Sequence, residues 1–549
     1  MKSTLLRGIM ALLIISLVST VIIVDYKYGQ SLIANDSKAE IIKGQEENTA
    51  EKLARQEKEA ELKRELATYT LERESYSHNR FVNKVDGYSI SVPKDMKADM
   101  NISHIRAVLE NQNLKIEIYR QEVQTATDSG IDSYINYSNK FIENDIDHKK
   151  ENEDYFIING RNVYMLQWSR EPLKHVENDK NFYASIDVST GENEVITFLF
   201  KSNASFQEGE YLDMVKSLEV EEKTKEPYYK KIKQVKNSSW DEATAEVYEK
   251  YFGLNSSLTW GIFEGKALVD STELKEIEAK LDFLFPIVLY YTGFIEGVKE
   301  HPRVVSVLAN ASKEKRLVEL TLQTVEQEAW KGNMIYDVLD GKYDEFLKNY
   351  VEAVVNSQKP VLFRIGNEMN GDWCVYSAHH TSKDTEIYKA FYKYIYKLFE
   401  EAGADNIIWV WNPNGKSFPD FKWNDELCYY PGDEFVDVIG MTSYNTGTYY
   451  PGETWTEFDE MYDPIYEKYI DLYEKPLMIT EFASSSVGGD KVAWVQKMFN
   501  HITNYERIKV AIWWDGCDWD IEGNVARPYF IDETDELVKI FKENLAKYK

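Results

Sequence analysis

Cysteine is scarce. Cys374, Cys428 and Cys517 are the only three in 549 residues, and they lie far apart. No CxxC or Cys/His spacing occurs, so neither a disulfide framework nor a zinc site is implied. Positive charge is in deficit too. A formal net charge of −29 argues against a nucleic-acid ligand, which needs a basic stripe to meet phosphate. Such a balance fits a neutral ligand and good solubility. No Gly-rich phosphate loop follows the first strand pattern of the C-terminal part, which counts against a dinucleotide-binding sheet. No cofactor is implied.

Apolar and aromatic residues are plentiful. Hydrophobic residues make up 43% and aromatics 14%, with 13 Trp and 38 Tyr. That is ample for buried cores, and flat side chains suit flat, hydroxyl-rich ligands. The length predicts two or three folded units. At the N-terminus, Lys2 and Arg7 precede an uncharged, mostly apolar run from Gly8 to Val24. A membrane span needs roughly 17–25 such residues. The run has no A-x-A cleavage pattern and no following Cys to carry a lipid. Residues 1–30 therefore read as an uncleaved single-pass membrane anchor, with a cleaved signal peptide as the alternative. The basic flank would stay inside, leaving the rest of the chain extracellular at the cell membrane.

Residues 31–79 are rich in Ala, Glu, Lys, Arg and Leu and read as a long polar helical stalk. Leu53, Leu62, Leu66 and Leu71 form an apolar seam short of a clean heptad, so weak coiled-coil self-association is the other reading. Residues 80–220 carry short alternating runs such as "GYSISVP", "LKIEIYRQEV", "NVYMLQWS", "FYASIDVS" and "EVITFLF". These predict a small α+β domain. The opening "GYSISVP", the meander and the closing "MVKSLEV" resemble the Mog1/PsbP-like sheet domains of exported bacterial proteins. No catalytic constellation is visible there, and a binding or spacer role is the default. Residues 221–245 read as a charged linker.

Residues 246–549 hold eight strand-like runs separated by helical patterns, beginning "SLTWGIF", "FPIVLYY", "RLVELTL" and "PVLFRIG". "NIIWVWN", "FVDVIGMTSY", "PLMITEF" and "VAIWWDG" complete the set. This alternation predicts a parallel sheet closed as a (β/α)8 TIM barrel. Catalytic residues of such barrels sit at the C-terminal strand ends. Glu368 follows the fourth strand and Glu481 ends the seventh. Two carboxylates facing one cleft are the equipment of glycoside hydrolysis: one is kept protonated for the leaving oxygen, the other ionised for attack.

"KPVLFRIGNEMNGDW", "YYPGDEFVDVIGMTSY" and "KPLMITEFA" together resemble glycoside hydrolase family 26, within the clan of retaining barrel enzymes. The resemblance covers roughly residues 250–545. It implies Glu368 as acid/base and Glu481 as nucleophile, with Tyr444 hydrogen-bonding the nucleophile. It also implies Trp373 under a sugar ring and Arg364 bonded to Glu481 beneath the cleft. Either Trp513 or Trp514 is expected as a subsite floor, since strand alternation lets only one face inward. Asn412 and Asn414 are candidate hydroxyl partners. Trp409, Trp411 and Trp423 are candidate sugar platforms, with at least one in the core.

His379 and His380 are adjacent without a third metal ligand, and Asp515, Asp518 and Asp520 fit a calcium loop poorly, so no metal site is expected. The implied activity is that of a retaining endo-β-1,4-mannanase. One residue departs from that pattern: mannan-acting members carry His before the acid/base, and here it is Asn367. In the wider clan, Asn at this position bonds the sugar 2-hydroxyl. A mixed-linkage β-1,3-1,4-glucanase is therefore the alternative, and a non-catalytic carbohydrate-binding surface protein is the reading from another class.

Overall fold

The protein is described by a computed structural model covering residues 52, 55–123, 130–206, 209, 211–235, 237, 239–295, 297–324 and 332–549. The N-terminal apolar run lies outside the described residues. Among those described, no helix is long and apolar enough to cross a membrane. The chain forms two compact units, residues 1–67 and 68–549. In the first, residues 55–66 are helical, with Leu62 and Leu66 exposed. The polar helix does not run to residue 79. Tyr69–Arg73 is a strand, paired antiparallel with His78–Asn83. Its Tyr-Thr-Leu core suits a pleated edge better than a solvated helix.

Among the described residues the second unit contains three antiparallel sheets, of four, seven and two strands, and a barrel. The largest sheet has seven strands, in the order Lys97–Asp99, Ala107–Glu110, Leu114–Glu122, Glu194–Ser202, Phe182–Ser189, Arg161–Ser169, Lys149–Ile158. Period-two alternation sorts its side chains. Ile116, Ile118, Met165, Ile186, Phe198 and Phe200 enter a core of their own. Tyr119, Trp168, Tyr183 and Leu199 enter the core that also holds the barrel's outer side chains. The polar positions on this second face, Glu117, Ser185, Asp187 and Lys201, are buried as well. These positions are buried where the sheet meets the barrel, while the edge strand Lys149–Ile158 is largely exposed.

The expected linker is pinned rather than loose. Ile232 exchanges backbone bonds with Leu472 and Glu474, each 2.8 Å, and Tyr228 is buried. The helix Glu242–Phe252 puts Tyr251 and Phe252 into the inner barrel core, and Trp240 Nε1 donates to Ile407 O at 2.6 Å. The barrel itself closes in sequence order, all parallel: β1 (Thr259–Glu264), β2 (Ile287–Gly293), β3 (Leu317–Gln323), β4 (Val361–Ile365), β5 (Ile407–Trp411), β6 (Val438–Thr442), β7 (Leu477–Phe482) and β8 (Ile508–Asp515). Each run read from the sequence became a strand. Leu289, Leu362, Ile408, Val410, Met478 and Ile512 fill the interior. At Gly440 of β6 a Cβ would lie 2.6 Å from Thr480 Cγ2 and 2.8 Å from Asn412 Cβ, so only glycine fits.

Because sheet and barrel share a core, residues 68–549 should unfold in one calorimetric transition. A fragment starting at residue 240 should melt at least about 10 °C lower, or fail to fold. Two separable transitions, with the fragment as stable as the whole, would contradict a shared core.

Candidate active site

Glu368 stands just beyond β4. Gly366 and Glu368 both have left-handed backbone, φ 53° and 55°. For a glutamate this conformation costs about 1–3 kcal/mol and persists only when neighbours impose it. Glu368 N is held by Asn412 O at 2.8 Å. The carboxylate is held at both oxygens: Asn414 Nδ2 donates to Oε1 at 2.5 Å and Trp373 Nε1 to Oε2 at 3.3 Å. Loss of hydration, reinforced by the negative charge of Glu481, pushes the Glu368 carboxyl up to about 7. The bonds from Asn414 and Trp373 pull the other way.

Glu481 ends β7, where the ladder to β8 shifts register between Ile479 and Phe482. Four donors converge on its carboxylate. Arg364 Nη1 and Asn367 Nδ2 reach Oε1 at 3.1 and 3.3 Å. Tyr444 Oη donates to Oε2 at 3.3 Å, and Tyr291 Oη donates to the same oxygen. Arg364 is fully buried. Its Nε contacts Thr321 Oγ1 at 2.8 Å and Glu319 Oε1 at 3.0 Å, and its Nη1 contacts Asn412 Oδ1 at 2.7 Å. Burial pushes the Glu319 carboxyl up to about 8 while the guanidinium opposes the rise. The guanidinium thus stands between two carboxyl groups, Glu319 and Glu481.

Both glutamates line one cleft of about 1230 Å³. Trp373 and Phe418, 51% and 40% exposed, stand as a pair on the Glu368 side, ring centroids 5.3 Å apart. Trp514 forms the floor, stacked on Phe263 at 5.0 Å and edge-on to Tyr444. Asp518 and Arg527, ion-paired at 2.8 Å, and Tyr529 make the far wall.

Of the residues named from sequence, Glu368, Glu481, Asn367, Trp373, Tyr444 and Trp514 meet in the cleft. Trp513 does not. It is fully buried against Phe482 and Phe541, its indole donating to Tyr529 O at 2.9 Å. Arg364 lies beneath the cleft, bonded to Glu481. Of the two candidate hydroxyl partners, Asn412 is fully buried and is not one, while Asn414 lines the cleft. Trp409, Trp411 and Trp423 are all buried, and none is a sugar platform. His379 and His380 belong to the loop scaffold, His380 Nε2 donating to Asp372 O at 2.5 Å. Sequence reasoning missed Tyr291 and Glu319. Their inward parity on β2 and β3 was the available signal, with Glu319 in the first half of its strand and Tyr291 nearer the C-terminal end.

A parallel eight-stranded barrel with a half-buried, proton-holding glutamate after strand four and a multiply bonded glutamate on strand seven has the site of a glycoside hydrolase. Residues 319–466 match the model of Glycosyl hydrolase family 26, and the barrel is a catalytic domain of that family. Endoglucanase H of Acetivibrio thermocellus is 31% identical over 280 residues, 49% of this chain and 29% of that protein. A mannan endo-1,4-beta-mannosidase of Bacillus subtilis is 38% identical over 99 residues, 17% of this chain and 26% of the relative. The chain thus spans less than a third of the length of either relative. The catalytic domain of a Bacillus sp. JAMB-750 endo-beta-1,4-mannanase aligns with 58% of this chain and 93% of its own, at 19% identity and a TM-score of 0.42.

Replacing Asn414 by alanine removes a bond that favours the charged form of Glu368. The Glu368 carboxyl of Asn414→Ala should therefore titrate above the native value of about 7. Carboxyl-carbon NMR titration reads this directly, and an unchanged or lowered midpoint would refute the assigned role of Asn414.

Proposed function

We propose that the chain is a retaining endo-β-glycanase acting on a β-1,4-linked polysaccharide. The observation that carries this reading is the contrast between the two glutamates of one cleft. Glu368 holds a proton near neutrality, while Glu481 is surrounded by an arginine, two tyrosines and an asparagine. Glu481 attacks the anomeric carbon as Glu368 gives its proton to the departing glycosidic oxygen. The resulting glycosyl ester on Glu481 is then hydrolysed. Glu368, now ionised, takes a proton from water, whose oxygen bonds the anomeric carbon and frees the Glu481 carboxylate.

Two backbones compete as substrate. The mannosidase relatives favour β-1,4-mannan, the first expectation from sequence. Asn367 favours a gluco-configured, mixed-linkage β-glucan. Its amide lies beside Glu481 Oε1, where the 2-hydroxyl of a sugar bound to that carboxylate would lie, and that hydroxyl is equatorial in glucose and axial in mannose. The longer alignment with an endoglucanase points the same way. We give precedence to the β-glucan. Display of the barrel outside the membrane by residues 1–30 is a further part of the proposal, supported by the basic flank and apolar run alone.

Reducing-sugar release from lichenan, mannan and xylan by the full chain tests the reading, with gel retardation on the same polymers. Lichenan should be cleaved fastest, and retardation without release would instead support a binding protein. Glu368→Gln and Glu481→Gln should each lower hydrolysis by about 10²–10⁴-fold. Full activity in either would overturn the mechanism. As the acid, Glu368 works only when protonated. The kcat/KM profile should therefore hold below the Glu368 midpoint of about 7 and fall as pH rises through it.

A further inference from the structure

The barrel-facing side of the seven-stranded sheet converges on one short stretch of the barrel, residues 382–384, downstream of Glu368 and Trp373. Ser382 and Lys383 both have left-handed backbone, φ 64° and 54°. Two consecutive non-glycine residues hold that conformation only where the surroundings enforce it. Here the enforcing contacts come from three adjacent strands of the sheet. Trp168 Nε1 donates to Ser382 Oγ at 3.1 Å. Lys383 Nζ is buried and donates to Ser185 Oγ at 2.8 Å, with Asp187 as the nearby charge. Asp384 accepts from Lys201 Nζ at 2.6 Å and from Tyr183 Oη at 3.0 Å. Its Oδ1 also caps the helix Thr385–Glu401 through Glu386 N at 3.1 Å.

From this clamp the segment runs back to the cleft through further bonds. Lys383 N donates to Ala378 O at 3.0 Å. Tyr376 Oη donates to Asn367 O at 2.5 Å, the carbonyl immediately before Glu368. His380 holds the carbonyl of Asp372, next to Trp373, and Tyr137 of the sheet domain donates to the Asp372 carboxylate. Packing alone does not call for this chemistry. A buried ionic row can usually be replaced by apolar residues at no loss of stability, whereas it enforces one register between the surfaces it joins.

We propose that the sheet domain is a positioning device for the acid/base. Its bonds to Ser382, Lys383 and Asp384 hold residues 376–384 in the one path that aims Glu368 and Trp373 into the cleft. The inference rests on the glycosidase reading above. It assigns the sheet a part in glycosidic-bond protonation, although no sheet residue lines the cleft.

The test separates protonation from folding. The full chain carrying Lys383→Met, and separately Trp168→Phe, is assayed on the polysaccharide it cleaves and on a 2,4-dinitrophenyl β-glycoside of the same sugar. Dinitrophenolate leaves without a proton, while a sugar alkoxide needs one from Glu368. Mispositioning should lower kcat/KM on the polysaccharide by about tenfold or more and leave the dinitrophenyl glycoside within about twofold. Equal losses on both substrates, or no loss on either, would overturn the proposal. Trp168→Phe is the milder change and decides the matter if Lys383→Met does not fold. Glu368→Gln in the native background is the control. If it fails to show the same split between substrates, the acid/base reading itself falls, whatever the sheet does.

Discussion

One buried guanidinium organises the top of the barrel. Arg364 rises from the interior of β4 and touches β3 through Thr321 and Glu319, β5 through Asn412 and β7 through Glu481. A charge taken out of water must be compensated on all sides, and removing one partner of such a cluster typically costs about 3–5 kcal/mol. The strand ends around it are therefore fixed relative to one another. The position of Glu481 follows from that constraint, and the field of Glu481 in turn helps keep a proton on Glu368. Loss of hydration does most to hold that proton, and the neighbouring charge adds to it.

The barrel was legible in the sequence because its strands are buried on both faces and read as short apolar runs at regular spacing. The two glutamates were legible because they end such runs. Other parts were hidden for identifiable reasons. Trp513 and Trp514 are neighbours on one strand, and composition cannot tell which parity faces inward; the structure puts Trp514 inside. Tyr291 is one of 38 tyrosines, and nothing local marks it as the one that reaches Glu481 from the far side of the barrel. Trp409, Trp411 and Trp423 resemble ligand platforms in composition but serve as packing against helices and loops.

The way the sheet domain docks was not legible in the sequence. Its strands alternate apolar and polar residues, the usual pattern of a sheet with one wet face. Lys201, Glu117 and Asp187 fit that pattern, yet each is covered. Glu117 is paired within the sheet, with Arg106 and Lys201, but Lys201 also meets Asp384 and Asp187 faces Lys383, far downstream, so no local window contains both halves of these pairs. The polar row that looked solvated is the docking surface, and its charges are complementary to the loop it meets.

The insertion of Lys383 into the sheet also bears on descent. Domains joined by loose tethers can be exchanged, duplicated or lost one at a time. Here the lysine lies in one domain and its Ser185 partner in the other, and both are buried where the two domains meet. A barrel inherited without its sheet would lose the Ser185, Tyr183 and Lys201 side chains that hold Lys383 and Asp384 in place. The two halves are thereby bound to a common history, and change on one face of the seam must be matched on the other.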